Sequence, residues 1–152
     1  MTQNEKDLLL KDLCARLPYG VKCENHNHVY GKNIFKVTDI RDNGYICGII
    51  NNRNYWAVFD PLELKPYLFP LSSMTEEQFE ELKDFAGLKY EGNTLELVEW
   101  DSTCDKTLEF WLEEIPSYCV IKVFDWLNKN HFDYRGLIPM GLANDATGLN
   151  IY

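Results

Sequence analysis

Between Ile34 and Phe59 the chain reads as two β-hairpins in succession: FKVTDI, a DNG turn, YICGII, an NNRN turn, then YWAVF. Side chains alternate along such strands, so Phe35 and Val37 share one face while Ile34, Lys36 and Thr38 share the other. In the last strand Tyr55, Ala57 and Phe59 oppose Trp56 and Val58. Asn43-Gly44 is the strongest turn signal, because a two-residue type I′ turn needs positive φ at both central positions and Asn-Gly adopts it at little cost. A meander with apolar residues on both faces of its last strand requires a cover, and the remaining chain must supply it.

Residues 3–16 space Leu9, Leu13 and Leu17 by four, with Leu10 beside them and acids and lysines opposite, as an amphipathic helix does. Pro18 and Gly20 stop it. Val21 to Glu24 reads as a short strand. Residues 60–70, DPLELKPYLFP, hold three prolines, which argues for an extended surface connector and against a helix or central strand. Ser73 and Glu76 have capping-box spacing and open a short helix with Phe79, Leu82 and Phe85 inward and Gly87 as its exit. NTLELVEW (93–100) alternates as an added strand, and Leu108, Trp111, Leu112 and Ile115 give 101–115 helical spacing. After Ser117 comes the clearest helix, with Val120, Ile121, Phe124 and Leu127 inward. A turn over 134–140 and a loosely held end after Gly148 complete the chain. The expectation is a single α+β domain over 1–152 with one core: a small, bent antiparallel sheet of four or five strands, closing as far as an SH3-like partial barrel, packed by three or four helices.

Charge is distributed unevenly. Residues 1–59 carry 6 acids against 8 bases, 60–115 carry 15 against 4, and 116–152 carry 3 against 3, so the middle third holds the whole excess behind the net −9. That balance argues against non-specific nucleic-acid binding, which cations drive by displacing counterions from phosphate. No apolar run reaches the length of a membrane span, and MTQNEKDLLLKDL places charges where a secretory leader needs apolar residues, so a cytoplasmic location is expected. The five cysteines, 14, 23, 47, 104 and 119, are scattered and odd in number, as for reduced, packed thiols.

Three patches stand out as a set: DLCARLPYGV, KPYLFPLSSMTEEQ and WLNKNHFDYRGLIPMGLA. Together they resemble a family of small proteins of no assigned function carried by phages and mobile elements of gut bacteria. The resemblance covers a quarter to a third of the positions and implies mobile-element origin. It implies no catalytic or binding residue.

Several residue groups compete as sites. His26 and His28 with Cys23 offer zinc-ligand types, and a metal-dependent enzyme built on them is one reading, although no fourth ligand is visible. The letters HNH at 26–28 lack the hairpin and helix a nuclease needs. Cys119 opens a helix but His131 is too far along it to act as its base, so structural burial is expected. Glu96, Glu99 and Asp101 around Trp100 lack a spacing that would set two carboxyl groups across a substrate. The glycines match neither a phosphate-cradling loop nor a dinucleotide fingerprint, and no cofactor is expected. A second reading is a small-ligand or nucleotide binder using Tyr19, Tyr30, Arg53 or Trp56 around the sheet. The leading expectation is a non-enzymatic protein that docks a basic partner protein through an acidic, aromatic-rich surface formed by Tyr67, Phe69, Glu76, Glu80, Glu99, Trp100, Asp101 and Trp111.

Overall fold

The structure is a computed structural model that describes residues 1–26, 33–50, 55–87 and 117–152. The fold is α+β, and the chain divides into two compact units: residues 1–68 with 135–152, and residues 69–134. The expected strand 93–100 and helix 101–115 lie outside the described residues. The apolar side chains gather into two clusters, one in each unit.

In the first unit, helix α1 (Gln3–Arg16) starts at a capping box in which Thr2 accepts from the Glu5 N–H and Glu5 accepts from the Thr2 N–H. The sheet follows as strands β1 (Lys22–Asn25), β2 (Asn33–Ile40), β3 (Ile46–Ile50) and β4 (Tyr55–Phe59). They pair antiparallel in the order β4-β3-β2-β1, and β5 (Leu64–Pro70) pairs antiparallel with β1. Near the chain end β7 (Asn144–Asp145) adds in parallel to Tyr67 and Leu68, which makes the sheet mixed rather than purely antiparallel. Leu9 and Leu13 of α1 pack with Phe35, Val37, Ile46, Ala57, Phe59, Leu64 and Leu68, and Leu137, Leu142 and Ala143 complete the cluster. Phe35 and Phe59 stack with centroids 4.5 Å apart.

Three local expectations are corrected here. The β2–β3 turn is not type I′: Asn43 has no positive φ, and only Gly44 (φ 79°) does. Gly44 N–H donates to the Arg41 carbonyl at 2.8 Å and Arg41 N–H to the Tyr45 carbonyl at 2.9 Å, as in a three-residue loop whose last residue is left-handed. The proline-rich stretch is not a surface connector: after a 3₁₀ turn over Pro61–Glu63, Leu64–Pro70 form a paired strand. β5 pairs with β1 up to Pro66 and with other partners from Tyr67 onward, so its ladder changes hands next to the proline that lacks a donor. The chain end is held, because the Tyr152 hydroxyl accepts from Lys22 N–H at 3.2 Å and donates to the Tyr67 carbonyl at 2.8 Å.

In the second unit, helix α2 (Glu76–Ala86) is capped by Thr75 with Gln78, not by Ser73 with Glu76. Ser73 sits in a 3₁₀ turn and donates to the Pro70 carbonyl at 2.8 Å. Helix α3 (Ser117–Lys129) buries Cys119, Val123, Trp126 and Leu127, so its inward face is rotated from the expected one: Val120 and Phe124 are half-buried and Ile121 is exposed. The run YCVIKVF offers apolar residues to two adjoining faces, and periodicity alone cannot choose between them. His131 follows α3 with φ 60°, the left-handed position that ends many helices. Strand β6 (Phe132–Asp133) then pairs in parallel with Phe69 and Pro70. Trp126 stacks on Phe132 at 5.7 Å between centroids and 10° between planes, above Met74, Phe79, Leu82 and Ala86.

Gly48 is the tightest point of the sheet. A Cβ there would lie 2.3 Å from Phe35 Cδ2 and 2.7 Å from the Lys36 carbonyl oxygen. Gly48→Ala is therefore expected to cost about 1–3 kcal/mol through overpacking, measured by urea denaturation; a loss within about 0.5 kcal/mol, the size usual for surface substitutions, contradicts the close contact.

Candidate functional site

Helix α2 buries Phe79, Leu82 and Ala86, one stripe of its surface. At 100° per residue, Glu77, Glu80, Glu81 and Asp84 then project to the opposite side, with Glu76 at its margin. Glu76–Glu80, Glu77–Glu81 and Glu80–Asp84 are like-charge pairs at i,i+4, a spacing that destabilises a helix. Among the basic residues of α2 only Lys83 offsets them: its ammonium bridges Glu80 and lies 5.0 Å from the centre of the Phe79 ring. The Glu77 carboxyl is held below its ordinary range by a hydrogen bond from its own backbone N–H and one from Thr75, so it stays ionised.

Apolar side chains reach solvent on the same pair of helices. Phe85 on α2 is 41% exposed, with Lys129 6.0 Å above its ring; on α3 Tyr118 is 59% and Ile121 is 75% exposed. Tyr118, Ile121, Lys122, Asp125 and Lys129 form the solvent-facing strip of α3. Phe85 is an exposed aromatic on the helix that carries the carboxylates, whereas Tyr118 and Ile121 lie on the side of α3 turned away from its buried stripe.

The expected anchors divide three ways. Glu76 is exposed and Glu80 half-buried on α2. Tyr67 is corrected: it is 8% exposed and lies in the core, because β5 is a paired strand and its side chain points inward. Phe69 is half-buried and packs 6.1 Å from Phe132, so its ring belongs to the second core. Glu99, Trp100, Asp101 and Trp111, like Glu96, lie outside the described residues. Phe85, Tyr118 and Ile121 were missed as surface residues, since their apolar character and helical spacing are also those of a core position.

The zinc reading loses Cys23, which is fully buried; burial, reinforced by the Asp12 carboxylate, pushes its thiol well up and keeps it protonated. His26 Nε2 lies 3.4 Å from Glu24 Oε2, which also accepts from Asn144 Nδ2 at 2.9 Å. Among the described residues no group of three ligand side chains converges; His28 is outside them. Cys119 is buried as expected, and α3 ends before His131. No helix among the described residues is long and apolar enough to cross a membrane.

No protein-family model, no curated protein and no solved structure matches this chain. The burial pattern makes one chemical expectation: native thiol labelling near pH ~8 modifies Cys14, which is exposed, while Cys23, Cys47 and Cys119 react only on unfolding. Rapid labelling of Cys23 in the folded chain, read by peptide mass spectrometry, contradicts the buried assignment.

Proposed function

We propose that this chain is a non-enzymatic accessory protein of a phage or mobile element that acts in the cytoplasm by binding another protein, a host or defence factor, through the acidic face of α2 and the apolar side chains beside it. The observation that carries this reading is the concentration of Glu77, Glu80, Glu81 and Asp84 on the solvent side of one helix, an arrangement helix stability disfavours. Phe85, Tyr118 and Ile121 supply the apolar contact. A partner with lysines and arginines around an apolar pocket complements both: charge accelerates encounter and the buried aromatics slow release.

The test is affinity capture from host lysate with the whole chain, in parallel with a variant carrying Glu76→Gln, Glu77→Gln, Glu80→Gln and Asp84→Asn and a second variant carrying Tyr118→Ser and Ile121→Ser. A basic protein retained by the unmodified chain, released as salt rises and recovered at least about tenfold less by both variants is the expected result. A captured protein indifferent to both variants refutes the surface.

A further inference from the structure

A second feature lies in the first unit, on the sheet face opposite the core. Backbone register places Lys22 opposite Lys36, Lys36 opposite Ile49, and Ile49 opposite Trp56. Residues directly opposite in antiparallel strands share a face, so these four form one row across β1, β2, β3 and β4. Phe35 and Val37, which flank Lys36, and Ala57, next to Trp56, are buried; Lys36 is exposed and Trp56 is 61% exposed. The row thus runs from two ammonium groups over an isoleucine to an open indole. With strands spaced about 4.8 Å apart, Lys36 and Trp56 stand roughly 10 Å apart across the face.

The two lysines are held in place. Gly20, at φ 71°, leaves room for the Lys36 stem: a Cβ there would come 2.5 Å from Lys36 Cε. Lys22 Nζ donates to the Ile151 carbonyl and lies 5.5 Å from the centre of the Tyr152 ring. Like charges directly opposite in a sheet are destabilising, and among the described residues no carboxylate pairs with Lys36. An anion over the pair removes that repulsion. The positive charge does not continue along the strands: Glu24, the next residue of β1 on this face, is buried and accepts from Asn144 Nδ2 at 2.9 Å, and Asp39, opposite Cys47, takes the far side on β2.

We infer that this row binds a single nucleotide, its base stacked on Trp56 and its phosphates over Lys36 and Lys22. Indole stacking accepts any base, and ammonium groups meet phosphate as point charges. The flanking carboxylates and the net −9 oppose a long polyanion and leave a site sized for one nucleotide. The inference stands on residues of the first unit alone and does not depend on the α2 surface.

Calorimetric titration of the whole chain with ATP, GTP, CTP and UTP, and in parallel with adenosine, sodium triphosphate and a dT12 oligonucleotide, tests it. At least one nucleoside triphosphate is expected to bind one to one, more tightly than adenosine, triphosphate or the oligonucleotide. Trp56→Ala and Lys36→Gln, both at exposed positions, are each expected to weaken it about tenfold with an unchanged thermal midpoint. Absence of binding by all four nucleotides at about 1 mM, equal binding of triphosphate, tighter binding of the oligonucleotide, or indifference to both substitutions overturns it.

Discussion

Asp12 is wholly enclosed and accepts from two arginines. Arg16, one turn on in α1 and equally buried, forks across the carboxylate with Nε at 2.7 Å and Nη2 at 3.0 Å; Arg135 reaches the same group with Nη1 at 2.7 Å. A charge taken out of water is tolerated only when its lone pairs are filled, and here three donors fill them. The arrangement joins the first helix to a segment more than a hundred residues later in sequence. The nearby Cys23 thiol is pushed up chiefly by burial, with Asp12 adding to it, and the Tyr152 hydroxyl is likewise pushed up chiefly by burial. The patches that hold Asp12, Arg16 and Arg135 are two of the three that stand out in the sequence, and a shared buried ion pair accounts for those residue types at those places.

Much of the meander was legible because period-two alternation and turn residues are local signals. Strands β2, β3 and β4 begin and end within a residue or two of where alternation puts them. What failed was decided by distant partners. Asp12 and Arg16 sit on what reads as the polar face of α1, and nothing local shows that Arg135 will arrive to neutralise that face. Proline penalties argued against β5, yet the penalty applies only where a ladder needs the missing N–H, and the ladder of β5 changes partner just after Pro66. In α3 a surplus of apolar residues left two faces open, and packing of Trp126 on Phe132 selected the one that leaves Ile121 in solvent.

The acidic candidate surface was legible as charge and illegible as exposure. Counting carboxylates finds the segment that includes α2, and helical spacing then orients Glu77, Glu80, Glu81 and Asp84 once Phe79 and Leu82 are recognised as core. Aromatic content misleads in the opposite direction: Tyr67 and Phe69 fill cores while Phe85 and Tyr118 meet water. Carboxylates therefore divide by location: Asp12 is enclosed within the first unit, while Glu77, Glu81 and Asp84 are exposed on α2, where Glu81 also accepts from Trp126 Nε1 at 3.4 Å.

That division is tested most directly by urea denaturation of Asp12→Asn against the unmodified chain. With the carboxylate neutralised, two guanidinium groups lose their counter-charge in the interior, and the stability of the first unit is expected to fall by about 3–5 kcal/mol. A loss under about 1 kcal/mol, the size found for solvent-exposed ion pairs, contradicts the account.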